Sequence, residues 1–401
     1  MKKPLLMVSE STHNADMFYA SHFLAADPFI YLRFPSASTP SSTLPSASSP
    51  SSTLPSASTP SSAPHEEKDI LVVSQMEYER ARKETTAKEV RSTLDYGYNP
   101  NLKTEELLLR ILQQEGLNAV EVPRYFPLYT AEELRKRGVE VEVVAGETAA
   151  GGETEITKER ETKNEYEINC IRKAQRACEH AMQTAVALIK SVSKLTSEKL
   201  TSERVKACIE HDLIDSGCNC DGGEPIVACG KRAADPHFTG SGPILANEPV
   251  VIDIFPRLKS ERYFADMTRT VVKGEPAKEV QEMYEAVKHA QDAALGLVKE
   301  GVTCREVHNR VCEVFEERGY GTVRKGSKTG FIHSTGHGVG LDLHETPSVG
   351  ENDYLLRSGN VVTIEPGLYD PEVGGVRLED LVLVLKGGCE NLTRFEKRLS
   401  L

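Results

Sequence analysis

Four carboxylates interrupt stretches of this chain that otherwise read as buried β-strands, and this constrains the fold more than any other feature. Asp253 lies inside PVVIDIF, and Asp266 opens DMTRTVV. Glu365 follows the apolar run VVTI, and Glu379 stands within VRLEDLVLV. A carboxylate in a buried strand is costly unless it is paired or bound to a metal. His337, in the glycine-rich run GHGVG, adds an imidazole to the set. Four carboxylates and one imidazole form an oxygen-rich donor group. Such a group suits a pair of divalent ions, Mn²⁺ first, with Co²⁺, Zn²⁺ or Fe²⁺ as alternatives, better than a thiolate-type zinc site does. Two ions about 3.5–4 Å apart can activate a shared water and clamp a scissile carbonyl, which is metallohydrolase chemistry.

The chain has 401 residues, enough for two domains. Its net charge is −12, which argues against a nucleic-acid surface. Nine cysteines, all from Cys170 onward, are irregularly spaced and do not form a disulfide framework. Reduced thiols in a cytoplasmic compartment fit that count. The opening MKKPLLMVSEST is too short in apolar residues for a signal-peptide core. No run of about 20 apolar residues occurs, so no membrane span is expected.

Residues 36–64 are dominated by Ser, Pro and Thr, and PSSTLPSAS occurs twice. Such a tract cannot bury enough apolar surface to offset its ordering entropy, so it reads as a disordered insertion. It separates two strand-like runs, FIYLRF and DILVVS, as a hairpin turn swollen by repeat expansion. The rest of residues 1–150 alternates short apolar runs (PLLMVS, AVEV, VEVEVV) with helical stretches at 75–84, 103–115 and 130–138. That alternation predicts a small α/β domain. Residues 151–163 read as a polar linker, and 164–401 as a second domain. In that second domain, helices at 164–190 and 198–216 precede the strands IVAC, VVIDIF and TRTVV. Helices at 277–299 and 304–318 then precede GFIHSTG, NVVTIEPG and VRLEDLVLVL. Two helices followed by sheet, repeated, suggest a duplicated α+β half. The first half supplies Asp253 and Asp266, and the second supplies His337, Glu365 and Glu379.

Other residues cluster around these five. Gly336, Gly338 and Gly340 flank His337 and allow close backbone approach to a ligand. His344 follows seven residues later with Glu345 beside it, and two histidines in a Gly-rich segment, with an acid beside the second, read as a site. His333 precedes His337 by four residues, as a supporting group or an ordinary one. Arg377 is placed to hold a ligand carboxylate, or to make a structural ion pair, or both.

Taken together, these blocks resemble the peptidase family with the pita-bread (creatinase/aminopeptidase-like) fold, which includes methionine aminopeptidases, aminopeptidase P and prolidase. The N-terminal α/β domain is similar to that of the Xaa-Pro peptidases. The resemblance implies that Asp253, Asp266, His337, Glu365 and Glu379 chelate two metal ions, with Asp266 and Glu379 bridging. It implies that His237, in DPHFTG, contacts substrate, that His344 stabilises the tetrahedral intermediate, and that Glu365 is the general base. It further implies a homodimer acting on peptides with a free N-terminus and proline second. One departure stands out. The two aspartates are 13 residues apart, two more than is usual in the family, and the run reads Asp-Ile-Phe-Pro where a glycine is usual. An even insertion in a hairpin preserves the face each side chain takes, so the change falls on the loop 256–262 and the substrate pocket. The alternatives are a methionine-aminopeptidase-like or creatinase-like hydrolase, or a catalytically dead peptide-binding module. The five intact ligands argue against the creatinase type and the dead module, and the extra domain argues against the methionine type.

Overall fold

A computed structural model describes residues 2–35, 68–144, 154–192 and 200–401. The chain divides into two compact units, 1–157 and 158–401. The tract 36–64 lies outside the described residues, as do 193–199 at the expected start of the second helix of unit 2.

The first unit is built on strands β1 (Leu5–Ser9), β2 (Phe29–Arg33), β3 (Asp69–Val73), β4 (Glu89–Ser92), β5 (Ala119–Val122) and β6 (Glu140–Val143). They form one mixed sheet in the order β4-β3-β2-β1-β5-β6. β2 and β3 pair antiparallel, Ile30 against Val72, on either side of the repeat tract. β3–β4, β1–β5 and β5–β6 are parallel. Alternation explains why the sheet is covered on both faces. Leu6, Ile30, Leu32, Ile70 and Val72 point into a core with Leu108, Ile111 and Leu134. These come from helices α3 (Thr104–Gln114) and α4 (Leu128–Lys136). The intervening residues Met7, Tyr31, Leu71 and Val73 point to the other face. There they meet Met17 of α1 (Ala15–Ser21), Ala81 of α2 (Gln75–Glu84) and Ile156 of α5 (Glu155–Glu161). Sequence reading missed α1 and β4. Asn14 caps α1, its side chain accepting from the Met17 amide, and His22 ends it at φ 48°. β4 is a short polar edge strand with no alternating signal. Helix α5 occupies part of the stretch read as linker.

The second unit starts with α6 (Glu165–Ser191) and α7 (Ser202–Asp215), packed on each other. An Asn164–Glu167 capping box starts α6, and Ile168, Ile171, Ala174, Cys178 and Met182 form its buried stripe. The short β7 (Cys218–Asn219) and then β8 (Ile226–Cys229), β9 (Pro249–Ile254), β10 (Arg257–Leu258) and β11 (Met267–Val272) follow. β11, β9 and β8 make an antiparallel sheet. The pattern then recurs. α8 (Lys278–Leu295) packs on α9 (Cys304–Glu317), and antiparallel strands come after them. These are β12 (Gly336–Gly338), β13 (Glu345–Val349), β14 (Val361–Ile364), β15 (Gly367–Asp370), β16 (Gly374–Arg377), β17 (Asp380–Leu385) and β18 (Gly388–Asn391). They form the sheet β13-β12-β14-β17-β18 and the hairpin β15–β16. Val287, Val311 and Phe315 from the helices meet Val362, Ile364 and Val382 from the strands in one core.

Two expected strands differ. GFIHSTG is largely irregular, with isolated bridges from Gly330 to Tyr369 and from Phe331 to Thr322, and regular strand pairing from Gly336. VRLEDLVLVL is not one strand but two, β16 and β17, with Leu378 and Glu379 between them.

The long loop between Asp253 and Asp266 is not a free turn. β10 within it pairs with β7. Arg269 then ties β11 to the start of β17. It is buried, it donates to the carbonyls of Thr268 (2.9 Å) and Glu379 (2.6 Å), and it meets Asp380 at 2.9 Å. Removing one partner of such a buried pair costs about 3–5 kcal/mol. R269A is therefore expected to lower the unfolding free energy of this unit by about 3 kcal/mol in urea titration. A change below about 0.5 kcal/mol, the level of an ordinary surface substitution, would contradict the tie.

Candidate metal centre

The strand register sets the positions of the acids. Thr268 pairs with Asp253 across β9–β11. Asp266, two residues before Thr268, thus takes the same face as Asp253. In the other half, Ile364 pairs with Asp380 and Gly367 pairs with Arg377. One register runs through both ladders and sets Glu365 opposite Glu379 at the break between them. Their backbone amides do not pair with each other. Glu365 donates to the Thr335 carbonyl (2.8 Å) and Glu379 to the Thr268 carbonyl (3.1 Å). The Glu379 bond to Thr268 joins the two halves, while the Glu365 bond lies within the second, and two like charges face each other, an arrangement that destabilises a sheet.

Ligand-type atoms of Asp266, His337 and Glu379 lie within 4.8 Å of one another. His337 Nε2 is 3.6 Å from Asp266 Oδ2 and 3.3 Å from Glu365 Oε1. Asp253 borders the group. Arg377 Nη2 donates to its Oδ2 at 2.7 Å, while Asp253 Oδ1 and Asp266 Oδ1 are buried with no hydrogen-bond partner. Burial pushes Asp266 and Glu379 well above the carboxylate range, and the neighbouring carboxylates push further. Burial also lifts Glu365, to about 8, against the pull of Arg377. Burial and the His344 ring lower His337 to about 3, so its imidazole is a neutral donor. Orphaned buried oxygens, opposed carboxylates and a neutral imidazole fit divalent cations: the group lacks only positive charge.

The supporting residues form a chain of hydrogen bonds. Arg377 also donates from Nε to Thr268 Oγ1 (3.1 Å) and from Nη1 to the Tyr369 hydroxyl (2.9 Å). His333 Nε2 lies 3.0 Å from the same hydroxyl, so it reaches Asp253 only through Tyr369 and Arg377. Burial lowers His333 to about 4. Thr268 donates to Glu379 Oε2 (2.8 Å), and Thr363 lies 3.3 Å from Glu365 Oε1 and accepts the His337 amide at 3.0 Å. Sequence reading passed over Thr268, Thr363 and Tyr369. Thr268 and Thr363 each stand two residues from an acid, on its face, and that alternation was the signal available.

His344 and His237 are exposed. The His344 ring stacks edge-on to His337 at 4.1 Å. Although the residue is exposed, partial desolvation of its ring lowers the His344 pKa, with Asp253 opposing the shift and His237 adding to it. One reading of the GHGVGLDLHE run needs correction. Gly336 and Gly338 admit neighbouring backbone, and Gly340 the Glu345 side chain, rather than a ligand. A Cβ on Gly336 would strike the Thr363 carbonyl, and one on Gly338 would lie 2.6 Å from the Glu345 carbonyl oxygen. Glu345, the acid beside His344, pairs with Arg160 (2.8 Å) and Lys163.

Raised carboxyl pKa values have a defined consequence without metal. The folded state then holds protons that the unfolded chain releases near 4.5, so stability falls as pH rises from there through about 8. Adding Mn²⁺ to metal-free protein at pH 7 is expected to release at least one proton per chain, measured by calorimetry in buffers of different ionisation enthalpy. Binding without proton release would contradict these shifts.

Comparisons with known proteins agree with this geometry. The profile of metallopeptidase family M24 matches residues 169–386. The Xaa-Pro dipeptidase of Pyrococcus horikoshii is 33% identical over 335 residues, covering 83% of this chain and 86% of that protein. The Xaa-Pro dipeptidase of Pyrococcus furiosus is 38% identical over 240 residues, covering 59% of this chain and 64% of that protein. The solved structure of a prolidase from Pyrococcus furiosus superposes with TM-score 0.74 at 26% identity, covering 99% of this chain and 97% of that one. The N-terminal α/β domain and the pita-bread domain are those of that fold, and the chain belongs to metallopeptidase family M24.

Proposed function

We propose that this chain is a dinuclear metallo-exopeptidase that removes the N-terminal residue ahead of proline, of the Xaa-Pro dipeptidase or aminopeptidase P type. The observation that carries this reading is the convergence of Asp266, His337 and Glu379 beside the opposed Glu365, with two buried oxygens unpartnered. The relatives named Xaa-Pro dipeptidase support the substrate class.

In this reading Asp253, Asp266, His337, Glu365 and Glu379 hold two divalent ions. When bound, these would lower the pKa of water and polarise the scissile carbonyl. Glu365, as carboxylate, accepts the proton of the attacking water and returns it to the departing proline nitrogen. His344 donates a hydrogen bond to the oxyanion that forms on the former carbonyl. His237, exposed near His344, contacts the peptide beyond the cleaved bond. The acidic cluster attracts the free α-ammonium, which accounts for exopeptidase action. Proline offers no N–H, so shape selects it. Manganese is the ion proposed, because carboxylate-rich sites suit it and availability decides among similar metals. The nine unpaired thiols fit a reducing cytoplasm. A homodimer follows from the family resemblance. No helix among the described residues is long and apolar enough to cross a membrane.

Metal-free protein would be assayed on Ala-Pro, Ala-Pro-Ala and Met-Ala-Ala with each ion restored in turn. Hydrolysis of the proline substrates alone is expected, and preference for Met-Ala-Ala would sink the reading. E365Q is expected to lower kcat on Ala-Pro by about 10²–10⁴-fold. Turnover unchanged in that variant would reject Glu365 as the base.

A further inference from the structure

The acid of the HETP run is left unused by the metal centre, although it adjoins His344. We propose that Glu345, gripped by Arg160 and Lys163, is a positioning residue that fixes the loop 340–345 and so aims His344. This rests on the role given to His344 above.

The grip is buried and directional. The side chains of Glu345, Arg160 and Lys163 are 9%, 7% and 1% exposed. Arg160 Nη2 donates to Glu345 Oε2 at 2.8 Å and to Asp342 Oδ2 at 2.6 Å, and Lys163 holds the other Glu345 oxygen. The Asp342 amide approaches Glu345 Oε2 at 3.4 Å. Burial works to raise the Glu345 carboxyl, but Lys163 and Arg160 outweigh it and hold it below the ordinary range. The segment bearing the two cations is itself anchored. The Lys163 amide donates to the Gly359 carbonyl (2.9 Å), and Asn360 Nδ2 donates to the Glu161 carbonyl (2.9 Å). The Tyr354 hydroxyl donates to Glu161 Oε2 at 2.7 Å.

The gripped loop reaches the reacting region at three points. The Gly340 carbonyl accepts the Phe264 amide at 2.8 Å, two residues before Asp266. The Leu343 carbonyl faces the His337 ring, and His344 stacks on that ring at 61°. Gly340 leaves the space the Glu345 carboxylate fills, since a Cβ there would sit 2.7 Å from Oε2. A buried ion pair of this kind adds little net stability over apolar packing. Its charge-assisted hydrogen bonds, from Arg160 Nη2 to both Glu345 and Asp342 and from Lys163 to the other Glu345 oxygen, fix geometry, which apolar packing does less well.

The test is a double-mutant cycle on metal-loaded protein with Ala-Pro. E345Q is expected to lower kcat about ten- to hundred-fold, the scale of misplacing a catalytic group by about 1 Å, with KM and bound metal little changed. In the H344A background the same substitution is expected to change kcat less than about two-fold, because coupled residues are non-additive. R160K, which keeps the charge but loses the guanidinium nitrogen that bridges Glu345 and Asp342, should show a weaker form of the same coupling. It carries the cycle if E345Q does not fold. Equal effects in both backgrounds, or a loss of metal that accounts for the loss of rate, would overturn the proposal alone. Unchanged kcat in H344A would overturn the role of His344 and the proposal with it.

Discussion

Glu365 and Glu379 stand opposite each other in one β register, with Asp266 and Asp253 beside them, and the second unit is organised around that conflict. Two like charges about 4 Å apart repel by about 4 kcal/mol at an effective dielectric near 20. Protein domains are stable by only about 5–15 kcal/mol in total. Several such repulsions cannot persist together in a buried cleft. Either protons or cations must neutralise them, and the raised carboxyl pKa values are the proton-bearing solution in the absence of metal. A divalent pair is the other solution, and it also supplies partners for the unpaired oxygens of Asp253 and Asp266.

The scaffold holds the acids close by joining the two halves with backbone and charge. The Glu379 amide bonds across to β11, and Thr270 on that strand exchanges hydrogen bonds with the Arg377 backbone at 2.9 and 3.0 Å. Arg269 fastens the same junction from the opposite face, where Lys397 (2.7 Å) and Asn391 (2.8 Å) also meet Asp380. Arg377, on the ligand face, is the counterweight to Asp253. Burial opposes its charge, yet Tyr369 and Asp253 hold its pKa above the usual value. Positive charge is thus built into the rim of the site, while its centre is left entirely to acids and a neutral imidazole.

Much of this was readable from residue order alone. Acids inside apolar strands announce a centre because burying them has so few physical solutions, and the N-terminal α/β domain followed from alternating apolar runs. What escaped were features that depend on neighbours distant in sequence. The break between β16 and β17 is invisible in VRLEDLVLVL, because both pieces are apolar and only the change of partner separates them. The glycines beside His337 looked like room for a ligand, but the carbonyls of Thr363 and Glu345 occupy that space. Glu345 follows His344 directly in the chain, yet its charge belongs to Arg160 and Lys163, about 180 positions earlier. Chain proximity names the segment, and only packing assigns the side chain.

Diffraction from crystals grown with Mn²⁺, recorded with anomalous signal, tests the central claim most directly. The account predicts two anomalous peaks per chain, about 3.5–4 Å apart, among Asp253, Asp266, His337, Glu365 and Glu379. Protein that is active in the crystal yet shows no peak among these five residues, or peaks only elsewhere, would contradict it.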